Sequence, residues 1–196
     1  MSMPSYRPIC DTWILARAKL KGRRKYYGAY LGGFPERARA LLGVKLSEPL
    51  LHVCGGKAKY NPYKRGFGPN DKTLDLDPKT KPDYLQDARE SFPVCELECL
   101  VNDCPEYYEK WPGILIDPPY SEIDAAHYNV GASVYPKPNL LVKNAIEVLP
   151  VGGKVGIIHY IWPKPPKNAR LVATIQVLCG YNNRARLFSV YEKEFR

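Results

Sequence analysis

Long apolar runs are missing from this chain of 196 residues, as are internal repeats, low-complexity tracts and paired CxxC units. A membrane-spanning helix needs about 20 consecutive apolar residues, so the sequence offers no such span. Without a repeat there is no basis for a solenoid or propeller. Cysteines do not pair at the spacing of the common zinc modules, and no histidine stands near Cys95, Cys99 and Cys104 to complete a metal set. All six cysteines, which also include Cys10, Cys54 and Cys179, are expected as free thiols. A structural metal on the three clustered ones is the alternative. The opening residues MSMPSYRPICDTW carry no apolar signal-peptide core, so a cytoplasmic setting is expected.

Positive charge is plentiful. The formal net charge is +9, and the densest stretches are KLKGRRK at residues 19–25 and KAKYNPYK at residues 57–64. A basic balance with interleaved tyrosines suits a polyanion such as nucleic acid. A solvated basic face is the competing reading. With 45% hydrophobic and 25% charged residues, the chain is composed like an ordinary globular domain with enough apolar material for a substantial core.

Apolar segments of strand length alternate with helical ones. Residues 38–44 (ARALLGV) predict a helix, with Pro35-Glu36 as its start. Residues 50–54 (LLHVC) predict a strand running into Gly55-Gly56, and residues 57–72 read as a loop. Thr73-Leu-Asp-Leu-Asp alternates and stops at Pro78, which predicts a second strand. A further acidic stop, Gln86-Asp87-Ala88, lies within residues 83–92. Residues 139–149 have helical spacing, residues 154–160 (KVGIIHY) predict a buried strand, and residues 171–191 predict a hairpin around Gly180-Tyr-Asn-Asn. The order implies an α/β sheet with one antiparallel strand. We expect one globular unit, with residues 1–48 as a basic segment and helix packed on a core of residues 49–196.

The most informative stretch is Gly113-Ile-Leu-Ile-Asp-Pro-Pro-Tyr120. Its apolar run predicts a short buried strand, and Pro118 and Pro119 cannot donate to a sheet ladder, so the strand stops at Asp117. The result is a stiff corner presenting Asp117, two carbonyls and the Tyr120 ring at a strand's carboxyl end. In open α/β sheets ligands bind at such ends.

Taken together, these segments resemble class I, Rossmann-like methyltransferases that use S-adenosylmethionine. More narrowly, they resemble the amino-methyltransferases that modify adenine N6 in DNA, phage-encoded members included. Asp117-Pro-Pro-Tyr120 carries the resemblance most specifically. Leu51-His-Val-Cys-Gly-Gly56 is similar to the cofactor-binding glycine motif, which implies contacts from His52, Cys54, Gly55 and Gly56. The motif departs from the usual pattern at His52, where many relatives have an acid, and at Lys57, which replaces a glycine. Asp75 matches the acid that holds the ribose hydroxyls, and Asp87 the acid near the cofactor's adenine. Ala29-Tyr-Leu-Gly-Gly-Phe34 resembles the motif closing the methionine end of the pocket, which implies Tyr30 and Phe34. Leu149-Pro-Val-Gly-Gly-Lys-Val resembles the turn before the fifth strand of these enzymes.

The resemblance implies a catalytic set of Asp117, Pro118, Pro119 and Tyr120. Asp117 and the Pro118 carbonyl would accept the two amino hydrogens, the prolines would hold these acceptors rigid, and Tyr120 would stack on an extruded base. DNA is the expected partner, in the host cytoplasm for a phage-encoded protein. Two alternatives stay open: an RNA base as substrate, and a nucleic-acid-binding module without catalysis. Residues 57–72 and 121–138 are the candidate substrate-facing segments, and no separate recognition domain is evident. His127 and His159 are expected as ordinary polar residues, and a Cys54/His52 nucleophile pair is disfavoured because neighbours on a strand point opposite ways.

Overall fold

The computed structural model describes residues 7–16, 30–60, 65–95, 110–126, 128, 135–179 and 182–195. The basic stretch at 19–25, Ala29, residues 61–64, Cys99, Cys104, His127, residues 129–134 and the hairpin turn at Gly180-Tyr181 lie outside these. Among the described residues eight strands form one sheet: β1 (Ile9–Leu15), β2 (Leu50–Val53), β3 (Lys72–Asp75), β4 (Tyr84–Leu85), β5 (Gly113–Ile116), β6 (Lys154–His159), β7 (Ala169–Cys179) and β8 (Asn182–Lys193). Among the described residues three helices accompany them: α1 (Phe34–Leu42), α2 (Glu122–Ala126) and α3 (Pro138–Val148).

The strand order is β1-β7-β8-β6-β5-β2-β3-β4. Only β8 is antiparallel to its neighbours, β6 and β7, while every other pair is parallel. From β2 the chain steps outward to β3 and β4, then returns to β5 on the other side of β2. This reversal makes the carboxyl ends of β2 and β5 a topological switch point, where open α/β sheets form their ligand crevice. The two ends are Cys54-Gly55-Gly56 and Asp117-Pro118.

All four residues of β2 and all four of β5 are buried, as expected for parallel strands covered on both faces. Their alternation feeds two cores. Leu50 and Leu115 join Phe34, Ala38 and Leu42 of α1 together with Phe188 and Val190 of β8. Leu51, Val53, Ile114 and Ile116 join Leu141, Val142, Ala145 and Ile146 of α3. Each such buried aliphatic side chain contributes about 1.5–3 kcal/mol relative to exposure. A slip of one residue in either strand would exchange the two faces.

Several expected boundaries shift for identifiable reasons. Helix α1 begins at Phe34, one residue before the expected Pro35-Glu36 start, because Pro35 in the first turn lacks only an N–H that no helical carbonyl awaits. It ends earlier, at Gly43, which adopts φ 72° and donates to the carbonyls of Ala40 and Arg39. The second strand stops at Asp75, followed by a 3₁₀ turn at Pro78–Thr80 that the Asp77 side chain caps. Strand β1 was not anticipated from the sequence. Only Trp13 and Leu15 of its residues are buried, so its alternation shows in a single short step.

Among the described residues no helix is long and apolar enough to cross a membrane, and no His, Cys, Asp or Glu cluster could hold a metal ion. Among the described residues Cys10, Cys54, Cys95 and Cys179 form no disulfide.

Candidate active site

The site grows from the ends of four neighbouring strands. The sheet ladder continues one residue past β5, with the Asp117 N–H donating to the Val53 carbonyl at 3.1 Å. Past β2, the Cys54 N–H donates to Leu74 at 2.8 Å. Cys54 then turns with φ 53°, a left-handed conformation rare for a residue with a side chain, and Gly56 follows with φ 52°. A Cβ on Gly55 would stand 2.9 Å from that of His52, so glycine keeps this turn tight.

Asp75, at the end of β3, holds the turn. Its Oδ2 accepts from the Gly56 N–H at 2.8 Å and its Oδ1 from the Asp77 N–H at 2.9 Å. Burial still pushes the Asp75 carboxyl up, with the backbone N–H groups of Asp77, Gly56 and Leu76 opposing. Asp87 is engaged differently. Its Oδ2 accepts from Arg89 Nε at 2.9 Å and Nη2 at 2.6 Å, its Oδ1 accepts from Nε at 3.1 Å, and this partner holds its carboxyl below the usual range. Burial, followed by Asp75, Asp117 and Asp87, raises the Cys54 thiol well above its ordinary value. It stays protonated, which rules out a thiolate nucleophile here. The three carboxylates therefore form a crescent about Cys54.

His52 does not face this crescent. It is fully buried, stacked on Phe67 with ring centroids 4.9 Å apart, and both its nitrogens have partners. Nε2 lies 3.2 Å from Asp71 Oδ2, and Nδ1 lies 3.4 Å from the Tyr30 hydroxyl. Asp71 also accepts from Arg39, the Leu50 N–H and the Gly68 N–H. The His52 ring is thus engaged by Asp71, Phe67 and Tyr30 inside the fold, which leaves its backbone as the part of the residue that can meet a cofactor. Tyr30 lines a cavity beside Asp117, while Phe34, fully buried against Tyr30, Trp13 and Phe188, forms its floor.

That cavity has a volume of about 230 Å³. Asp117, Pro118, Pro119 and Tyr120 line one side, and Tyr30, Tyr128, Tyr160, Asp124, Arg184 and Arg186 complete it. The Tyr120 hydroxyl donates to Asp117 Oδ1 at 2.8 Å. Among the described residues nothing donates to Asp117 Oδ2 or to the Pro118 carbonyl, so two acceptors remain open at the corner. Burial raises the Asp117 carboxyl to about 6, with the Tyr120 hydroxyl and Arg186 pulling it down. It is ionised at neutral pH.

The corner is braced from β6 and β8. His159 Nδ1 accepts the Ile161 N–H at 2.9 Å, which fixes the neutral tautomer with its hydrogen on Nε2. Nε2 then faces the Pro119 carbonyl and the Tyr135 hydroxyl, the latter at 3.3 Å. Burial lowers His159 to about 4, so it stays neutral. Its ring meets the Tyr120 ring edge-on, with centroids 5.4 Å apart. The Tyr160 ring lies 4.6 Å from Tyr120, and the Arg186 guanidinium sits over the Tyr120 ring at 5.3 Å. Downstream, Ser121 and Asp124 cap α2 reciprocally, the Asp124 N–H bonding the Ser121 hydroxyl at 3.1 Å and that hydroxyl bonding the Asp124 carboxylate at 2.9 Å.

Tyr128 lies in the expected substrate-facing segment 121–138, whereas His159, Tyr160, Arg184 and Arg186 were not foreseen as site residues. Alternation in Arg184-Ala-Arg186 was the available signal for the last pair. It becomes interpretable only once β8 is known to lie beside β6.

No protein-family profile and no curated protein sequence matches the chain. Solved structures do match. TrmN from Thermus thermophilus superposes with TM-score 0.56 at 18% identity, covering 85% of this chain and 50% of that one. The chain thus spans about half the length of TrmN. The Escherichia coli protein yhhF, a methyltransferase by assignment, superposes with TM-score 0.51 at 8% identity, covering 84% of this chain and 86% of that one. A SAM-dependent methyltransferase from Aquifex aeolicus matches at TM-score 0.46 and 12% identity, covering 80% of this chain and 88% of that one. At these identities the likeness is one of fold. The chain has the Rossmann-like architecture of class I methyltransferases: a mostly parallel sheet, flanking helices and a C-terminal antiparallel hairpin.

Proposed function

We propose that this chain is an S-adenosylmethionine-dependent methyltransferase acting on the exocyclic amine of a nucleic-acid base, adenine N6 in DNA. One observation carries the reading: at the switch point Asp117 Oδ2 and the Pro118 carbonyl accept no hydrogen bond from the described residues, and both residues line an aromatic cavity. An amino group has two hydrogens to give, and these are two fixed acceptors.

The cofactor side fits a cation bearing a ribose. The crescent of Asp75, Asp87 and Asp117 supplies negative charge around Cys54, and each Asp75 oxygen keeps a lone pair beyond its backbone donor for a hydroxyl. Gly55 and Gly56 let the backbone come close. Bound there, the sulfonium cofactor supplies the methyl group and the driving force.

Adenine N6 is a weak nucleophile because its lone pair is delocalised into the ring. Acceptors on both amino hydrogens draw the nitrogen toward a pyramidal geometry. Pro118 and Pro119 hold them in place before the reaction begins, so little reorganisation remains for the transition state. The proton lost from the nitrogen can pass to water after transfer, so Asp117 need not act as a full base. Extruding a base from a duplex costs a few kcal/mol, and stacking on an aromatic ring returns about 1–3 kcal/mol. In this structure Arg186 covers a face of the Tyr120 ring, so a base stacking on that face displaces the guanidinium.

Asp117→Ala tests the assignment. It should abolish transfer from S-adenosylmethionine to DNA while calorimetry shows cofactor still bound. Comparable turnover by that variant would exclude the mechanism. RNA tested alongside DNA distinguishes the two polymers.

A further inference from the structure

We propose that Arg184 and Arg186 of β8 form an anion-binding mouth on this cavity that takes a backbone phosphate of the nucleotide whose base enters it. The proposal rests on the methyltransferase reading and extends it to the sugar-phosphate side of the substrate.

The two arginines are two residues apart on a strand, so their side chains leave the same face. Both line the cavity that Asp117 and Pro118 also line. Arg184 is exposed and makes no ion pair among the described residues. Arg186 reaches inward over the Tyr120 ring, and its Nε is buried without a hydrogen-bond partner among the described residues. A buried donor left unmatched is costly unless a ligand satisfies it. Guanidinium groups present forked donors that match phosphate oxygens.

The cavity is lined by three kinds of group. Asp117 and Pro118 offer acceptors, suited to an amine. Tyr30, Tyr120, Tyr128 and Tyr160 offer rings, suited to a base plane. Arg184 and Arg186 offer cationic donors. Amine, base and phosphate are the corresponding parts of a nucleotide. Because Arg186 now lies over Tyr120, a phosphate that draws the guanidinium outward also uncovers the ring for the base. Phosphate capture and base entry are thereby linked.

Fluorescence anisotropy of short labelled DNA and RNA duplexes, across a salt series with S-adenosylhomocysteine present, tests this. Each of Arg184→Met and Arg186→Met should weaken binding roughly tenfold at low salt and reduce the slope of log K against log salt by about one. Arg186→Lys keeps the charge and should keep most of the slope. Calorimetry on the same variants should show cofactor affinity within a factor of about two of the parent chain, since the arginine mouth and the Asp75 turn are separate subsites. Unchanged slopes in both methionine variants would overturn the arginine assignment. Failure of the unsubstituted chain to bind cofactor would instead contradict the methyltransferase reading, with the slopes still deciding the arginines.

Discussion

The Tyr120 hydroxyl donates to Asp117 Oδ1 at 2.8 Å, so the two ends of the Asp-Pro-Pro-Tyr corner are tied across its prolines. The bond leaves Oδ2 for a substrate and holds the carboxylate plane steady. It also lowers the Asp117 carboxyl against the burial that raises it to about 6.

Ionisation of this carboxyl sets a pH dependence. The acceptor is the ionised form, so kcat/KM for methyl transfer should rise as pH increases through about 6 and level off above. Tyr120→Phe removes a bond that favours ionisation, so its acid limb should move to higher pH. Asp117→Asn keeps an acceptor oxygen with nothing to titrate, so this limb should vanish whatever its residual rate. An unaltered limb in that variant would assign the titration elsewhere.

The same group affects stability. A folded-state carboxyl raised above its unfolded value favours the protonated form, so its contribution is present at low pH and is lost as pH rises toward and through about 6. Asp117→Asn should therefore melt at a higher temperature than the parent chain near neutral pH, with the gain disappearing in acid. Thermal melts at the two pH values decide this.

His159 is a positioning residue. His159→Ala removes the acceptor for the Ile161 N–H and the donor facing Pro119. Each unmatched buried group costs about 1–3 kcal/mol. Transfer should fall about 10- to 100-fold through kcat, with cofactor affinity retained. Equal losses in kcat and cofactor binding would point to general unfolding instead.

Asp75→Ala should weaken S-adenosylmethionine binding by roughly tenfold or more, because it removes the proposed ribose acceptor and frees the Gly56 N–H that shapes the turn. Titration calorimetry reads this directly, and unchanged affinity would remove Asp75 from the cofactor site.

Asp71 collects four donors in the interior, from Arg39, His52, Leu50 and Gly68. Removing it by Asp71→Ala strands a buried guanidinium, at a cost of about 3–5 kcal/mol in urea unfolding. A loss below about 1 kcal/mol would mean that this network behaves like a surface ion pair.

Strands β2, β5 and β6 and helix α3 were readable from the chain because each is a compact apolar segment bounded by proline, glycine or an acid. The Asp117 corner was readable for a related reason, since two prolines leave the backbone few choices. The hairpin showed through its turn residues. Other features depend on contacts between distant segments. β1 is an edge strand paired with β7, and its register against residues 173–179 has no local signature. His52 occupies a glycine-motif position, yet its direction is set by Asp71, nineteen residues on. Arg184 and Arg186 reach the cavity only because β8 inserts between β6 and β7. His159 looked like an ordinary polar residue, and its bearing on Pro119 came from packing alone.

The most direct measurement is tritiated methyl transfer from S-adenosylmethionine to unmethylated duplex DNA, with RNA alongside and the labelled nucleoside identified. We expect label in N6-methyladenine from DNA, lost in Asp117→Ala. Label in neither polymer, from a chain that binds the cofactor, would contradict a nucleic-acid base as the substrate.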